Sequence, residues 1–161
     1  MKTGIDAIAF DVAKIHLPIK ILAKDRNILP EKLEKGLGLI KMTIPDTHQD
    51  TVVFGANALT NLILDQSIYL GEIARIYIGT ESAIDSSKPI SSFLIALMEE
   101  KFGENTLAQC DVVDFTFACI RGVDALQNCI DFIKLNPANK AIVVTTDFAK
   151  YDLNSSGEYT Q

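Results

Sequence analysis

Apolar and polar positions change period along the chain, and each change marks an element. Residues 4–12 alternate Ile5, Ala7, Ala9 and Asp11 against Asp6, Ile8, Phe10 and Val12, the period of a strand in a mixed environment. Pro18 opens a short helical stretch through Ala23, and Pro30 with Glu31 and Lys32 opens another, stopped by Gly36 and Gly38. Beyond Asp50, a residue suited to capping, Val53, Ala56, Leu59, Leu62 and Ile63 recur at spacings of three and four, which predicts a long amphipathic helix. Residues 73–80 form a nearly continuous apolar run, read as a second strand, and Pro89 starts a helix through about Phe102. Residues 110–115 predict a third strand. The helix that Cys119 begins then carries Val123, Leu126, Ile130 and Ile133 on one face until Pro137 ends it, and residues 140–146 predict a fourth strand.

Strands separated by helices require crossover connections, so the pattern predicts an α/β fold with a mainly parallel sheet. Residues 147–161 are polar and bring no further element, so a single domain spanning 1–161 and cut short at its carboxyl end is expected. With 48% apolar and 22% charged residues, the 161-residue chain has the composition of a folded globular protein. A net charge of −6 leaves no basic surplus for phosphate backbones, which excludes a general nucleic-acid binder. No apolar run approaches the roughly 20 residues of a membrane span, and the start lacks a basic stretch followed by an apolar one. The three cysteines, Cys110, Cys119 and Cys129, show neither a disulfide framework nor a Cys-x-x-Cys metal spacing. A reduced, cytoplasmic protein without a metal site is the expectation.

Candidate chemistry collects at predicted strand ends, where open α/β sheets place their sites. Glu81 closes the run Ile76-Tyr77-Ile78-Gly79-Thr80, and Cys119 follows Val112-Val113-Asp114-Phe115-Thr116-Phe117-Ala118. If these strands are parallel neighbours, a carboxylate and a thiol come within plausible reach of each other, a nucleophile with a base. At a helix amino-terminus the peptide dipoles favour a thiolate, and the exposed amides can hold a developing oxyanion. Cys119 is otherwise a buried, inert thiol, as Cys110 and Cys129 are expected to be, and Glu81 is otherwise a solvated loop carboxylate or a helix cap. His16 and His48 lie in polar stretches far from the pair and read as surface residues. Gly36-Leu37-Gly38 reads as a helix stop rather than a phosphate loop. Lys88 and Arg121 could meet a phosphate or carboxylate, or stand solvated, and Tyr151 and Thr160 lie on the loop after the last strand.

At these residues the sequence resembles the 3-hydroxy-3-methylglutaryl-CoA synthase family of the thiolase superfamily. Residues 79–88, Gly-Thr-Glu-Ser-Ala-Ile-Asp-Ser-Ser-Lys, resemble the block around the family's catalytic glutamate. Asp114-Phe115-Thr116-Phe117-Ala118-Cys119 resembles the D-x-T-x-A-C block that ends in its nucleophile, and Lys35-Gly36-Leu37-Gly38 resembles its early glycine turn. Residues 147–161 are similar to its substrate-lining segment, especially in bacterial members. The resemblance implies a thiolase-like sheet, here one incomplete half of a duplicated fold. It implies a Claisen-type condensation in which Cys119 is acetylated by acetyl-CoA. Glu81 then removes a methyl proton, and the carbanion attacks acetoacetyl-CoA to give HMG-CoA. Tyr151 and Thr160 would face the acyl group and Pro30 would approach CoA. No cofactor is implied beyond these substrates, and a homodimer is implied for full-length members.

Two departures stand out. The family follows its nucleophile with an aromatic or aliphatic residue and two glycines, whereas this chain has Cys119-Ile120-Arg121-Gly122. Family members are also more than twice this length, and their catalytic histidine lies in the part beyond residue 161. The chain thus resembles an amino-terminal portion with two of three catalytic residues, expected to be inactive alone. The competing readings are a ketoacyl synthase III-like condensing enzyme, which would not place a glutamate at position 81, and a non-catalytic acyl-CoA-binding or pairing module. Isoprenoid supply by the mevalonate route and a polyketide side branch use the same chemistry.

Overall fold

A computed structural model describes residues 3–117, 119–155 and 157–160. The chain divides into two compact units. One takes the chain up to Asp11 together with Thr51–Asp147, and the other takes Val12–Asp50 with the chain from Phe148 onward.

The first unit is built on three strands, β3 (Ile73–Gly79), β4 (Asp111–Phe115) and β5 (Lys140–Thr145), in the order β4-β3-β5. Both pairings are parallel, as the alternation of strands and helices predicts. β4 and β5 flank β3 from opposite sides, so right-handed crossovers must put their helices on opposite faces of the sheet. The side-chain packing follows. On one face α3 (Thr51–Asp65) and α4 (Ile90–Phe102) bury Val52, Ala56, Leu59, Ile63, Ile90, Leu94 and Met98 against Ile76, Ile78, Ile142 and Val144. On the other, α5 (Arg121–Leu135) packs Ala125 and Cys129 on Tyr77, with Phe115, Ala141 and Val143 around them. Tyr77 stands between Ile76 and Ile78, so the strand's period of two divides β3 between the faces. Each of the fully buried Ile and Leu side chains contributes about 1.5–3 kcal/mol of apolar transfer, which fixes the strand register and with it the carboxyl edge.

In the second unit β1 (Ile15–Pro18) and β2 (Lys41–Ile44) pair antiparallel. They accompany two helices, α1 (Ile19–Asp25) and α2 (Pro30–Glu34). Helices this short do not persist alone. They are held by a cluster of Ile19, Leu22, Ala23 and Leu33, with Tyr159 against it. Glu158, buried in the 3-10 turn Glu158–Thr160, accepts hydrogen bonds from Arg26 Nη2 at 2.7 Å and Nε at 3.1 Å and from the Asn154 amide at 3.0 Å.

Two expectations need correction. The alternating segment 4–12 forms no strand: Ile5, Ile8 and Phe10 are exposed, and the segment is tethered by Asn57 Nδ2 to Asp11 (2.9 Å) and Asn61 Nδ2 to the Phe10 carbonyl (3.4 Å). Alternation describes which way side chains would face, but a strand also needs a ladder partner, and among the described residues it has none. The β1–β2 pair was not expected, because its strands are four residues each and mostly exposed.

Candidate active site

The carboxyl ends of β3 and β4 are tied together by their register. Gly79 pairs with Phe115, and the next amide, Thr80 N–H, donates to the Phe115 carbonyl at 3.0 Å. Glu81 therefore follows immediately at this edge, and Cys119 lies four residues beyond Phe115 on the adjoining strand. On the other side the Thr146 amide donates to the Gly79 carbonyl at 3.1 Å, which brings Asp147 to the same edge.

Asp147 organises the turn. Its Oδ1 accepts from the Glu81 amide at 2.6 Å and from the Thr80 and Ser82 hydroxyls, each at 3.3 Å. Its Oδ2 accepts from Arg121 Nη2. The turn continues into a loop shaped by Asp85, whose Oδ1 accepts the Lys88 and Ser87 amides, both at 2.7 Å. Those amides hold the Asp85 carboxyl below the usual carboxylate range. Asp114 reaches from β4 to the start of α4, accepting the Ile90 amide at 2.5 Å and the Ser91 amide at 3.0 Å. α4 has only Pro89 at its own cap position, without a side-chain cap bond, so Asp114 supplies the cap from across the sheet.

Cys119 precedes α5, which begins two residues later at Arg121 with Ile120 as its cap. The thiol is exposed, which disposes of the buried, inert alternative. Cys129 is buried and Cys110 partly so, and desolvation pushes each thiol up to about 11. Ala118, within the nucleophile block, lies outside the described residues.

Arg121, which the sequence left either solvated or meeting a phosphate or carboxylate, meets carboxylates. Its side chain is 10% exposed and pairs with two carboxylates, Nη1 to Glu81 Oε1 at 2.5 Å and Nη2 to Asp147 Oδ2. Since Arg121 is two residues from Cys119, a span of at most about 7 Å between their Cα atoms, the guanidinium ties the carboxylate and thiol blocks to one place. The remaining candidates are dispersed. Lys88 is exposed, its ammonium 4.0 Å from the Phe93 ring centroid. His16 and His48 are exposed in the second unit, as expected. Pro30 is the half-buried first residue of α2, Tyr151 is exposed with its ring against Gly157, and Thr160 ends the 3-10 turn. All three belong to the second unit.

Among the described residues no group of three or more His, Cys, Asp or Glu is placed to hold a metal. No described helix is long and apolar enough to cross a membrane. Asp147 is the residue that sequence reasoning passed over. It follows an apolar run at a strand's carboxyl end, the same signal that singled out Glu81.

Comparison with known proteins gives a consistent outcome. Residues 2–159 match the family model described as hydroxymethylglutaryl-coenzyme A synthase N terminal. The hydroxymethylglutaryl-CoA synthase of Haloferax volcanii is 35% identical over 161 residues, covering 98% of this chain and 36% of that protein. That of Enterococcus faecalis is also 35% identical, covering 100% of this chain and 40% of that protein. Among solved structures, MvaS in complex with 3-hydroxy-3-methylglutaryl coenzyme A superposes with a TM-score of 0.90 at 34% identity, over the whole of this chain and 38% of that one. An HMG-CoA synthase complexed with CoA gives 0.89 at 27% identity, over 39% of its chain. The chain spans well under half the length of these relatives. It has the thiolase-like α/β fold and belongs to the hydroxymethylglutaryl-CoA synthase family, matching its amino-terminal part.

Proposed function

We propose that this chain carries the acetyl-transfer half of a hydroxymethylglutaryl-CoA synthase site, an acyltransferase in which Cys119 is the nucleophile and Glu81 the general base. The Cys119 thiolate attacks the carbonyl of acetyl-CoA, forming an enzyme thioester and releasing CoA thiol. Glu81 takes a proton from the acetyl methyl group, and the resulting carbanion adds to the ketone of acetoacetyl-CoA. Water then hydrolyses the enzyme thioester to release HMG-CoA. The observation that carries this reading is the Gly79–Phe115 register, which delivers the carboxylate and the one exposed thiol of the three cysteines to the same sheet edge. The opening of α5 supports an oxyanion beside that thiol.

By resemblance, Pro30 would approach CoA and Tyr151 and Thr160 would line the acyl group. Residues 1–161 together would form the amino-terminal thiolase-like domain, working in a cytoplasmic homodimer that needs no metal or further cofactor. Isoprenoid supply by the mevalonate route and a polyketide side branch both remain settings for this chemistry. The family's catalytic histidine has no counterpart within these 161 residues. Assayed alone, this polypeptide is therefore expected to form the acetyl-enzyme without releasing HMG-CoA.

Intact mass with peptide mapping after incubation with acetyl-CoA tests the reading. A single acetyl group on Cys119 is expected. No adduct on a chain whose circular dichroism is that of the folded protein, or equal labelling of Cys110 and Cys129, would refute it. A second reading, an acyl-CoA-binding module without condensation chemistry, is favoured by the ion pair in which Arg121 engages Glu81.

A further inference from the structure

We infer that Arg121 is a positioning residue that withholds Glu81 from external reactants, clamping its carboxylate in an ion pair bridged to Asp147. The inference rests on the assignment of Glu81 as general base and specifies how this chain departs from the family pattern at that site.

Three observations carry it. First, the guanidinium serves two carboxylates at once: Nη1 is 2.5 Å from Glu81 Oε1, and Nη2 pairs with Asp147 Oδ2. Second, Asp147 is held independently of the arginine, by the Glu81 amide and the Thr80 and Ser82 hydroxyls. The Asp147 Oδ1 accepts the Glu81 amide at 2.6 Å, so the backbone of residue 81 is fixed to the same group that anchors the far side of the guanidinium. Third, the stem of Arg121 crosses the one place on β3 without a side chain, since a Cβ built on Gly79 would lie 3.1 Å from Arg121 Cγ. The stem thus lies against the strand, and the side chain as a whole is 10% exposed. A desolvated cation flanked by two anions does not leave them cheaply, because removing it would strand like charges beside each other.

The two ion pairs also argue against the obvious alternative, an arginine waiting for an anionic substrate group. One positive charge already faces two negative ones, so the cluster repels a further anion. The Glu81 side chain is 46% exposed with the arginine in place, so what restrains the carboxylate is the ion pair and not burial. A carboxylate accepts a proton along one of about four lone-pair directions, and Nη1 takes one of them on Oε1 while the guanidinium charge draws the group toward Asp147.

Carboxyl labelling tests this without needing turnover. The folded chain is treated with a water-soluble carbodiimide and glycine ethyl ester, and labelling at Glu81 is mapped against Glu100 and Glu104, both exposed. Glu81 is expected to label about fivefold more slowly than those references, about 1 kcal/mol of ion pairing. Arg121→Gly is expected to bring it to their rate, and Arg121→Lys to restore part of the protection. Arg121→Met keeps the bulk over Gly79 and removes only the cation, so it decides the matter if the glycine variant fails to fold. Labelling of Glu81 at the reference rate in the unaltered chain, or unchanged protection in a folded Arg121→Met, would overturn the inference. The acetyl-CoA adduct measured on the same samples separates the two claims. Protection of Glu81 without any acetyl group on Cys119 sinks the catalytic reading alone, whereas acetylation with Glu81 unprotected sinks the clamp alone.

Discussion

Replacing Asp114 with alanine should unfold the start of α4 and lower the stability of the first unit substantially. The carboxylate accepts the Ile90 amide at 2.5 Å and the Ser91 amide at 3.0 Å, and both residues are almost completely buried. Water cannot replace the lost acceptor there, so the variant leaves two amides at a helix amino-terminus without partners. A cap is worth up to about 2 kcal/mol, and a buried donor left unsatisfied costs about 1–3 kcal/mol, so a loss of about 2–3 kcal/mol is expected. For a cooperative unit of roughly a hundred residues this corresponds to a fall in Tm of about 6–15 °C. Asp114→Asn keeps one acceptor oxygen but loses the charge facing the helix dipole, and should retain about half of the stability. Thermal unfolding by circular dichroism gives the magnitude. Hydrogen exchange of peptides spanning the first turn of α4 gives the location. A shift below about 2 °C, or faster exchange spread evenly over the unit instead of concentrated at α4, would refute the argument, since a cap acts within the first turn. Either outcome bears on the site, because Asp114 opens the block that ends in Cys119. That aspartate braces β4 against α4.

Gly122→Ala should displace the first turn of α5, because its Cβ would lie 2.6 Å from Thr145 Cγ2, a methyl fixed by β-branching on β5. Overpacking of about 1–3 kcal/mol is expected in thermal unfolding, and adding Thr145→Ser, which removes that methyl, should restore stability; a neutral single variant would refute the contact. Iodoacetamide at pH 7 should alkylate Cys119 well before Cys110 and Cys129, whose thiols are pushed up to about 11 by burial. Equal rates, read by peptide mapping, would count against a distinct thiol. In the second unit the Arg26 hydrogen bonds hold the Glu158 carboxyl below its ordinary range, against the opposing effect of desolvation. Its contribution is therefore fully present above the ordinary glutamate value of about 4.3 and is lost as pH falls through the lower folded value. Acid titration followed by hydrogen exchange of α1 and α2 should show that loss, and Glu158→Gln should flatten it.

The parts of this structure legible in the sequence are those set by local period. The apolar runs at residues 73–80, 110–115 and 140–146 became three parallel strands within one residue of their expected limits, because strands covered on both faces must be apolar throughout. Pro30 at the first position of α2 and Glu81 at the end of β3 were legible for the same local reasons. The segment 4–12 was misread because a ladder is a non-local property: Ile8 and Phe10 alternate correctly yet pair with nothing described. The partners of Arg121 were illegible because they lie 40 and 26 residues away, at the ends of two different strands. Asp147 was within reach, since the strand-end rule that nominated Glu81 applies to it equally.

Arg121, Gly122 and Gly79 look unrelated in the sequence, and the packing makes them one arrangement. α5 enters the sheet edge so closely that a Cβ on Gly79 would meet the Gly122 backbone at 3.1 Å, while a Cβ on Gly122 would meet β5. Two residues without side chains are what allow the helix to start against both strands. Its first residue sends its side chain over Gly79, and at that point a long cation finds Glu81 on one side and Asp147 on the other. A glycine at position 121 would leave the same close approach and no cation. The state of Glu81 therefore depends on residue 121, through a contact that the sequence spacing alone does not show. Substitution at position 121 is therefore expected to change the accessibility of Glu81, and the acetyl-CoA adduct measured beside it reports separately whether the Cys119 block is disturbed.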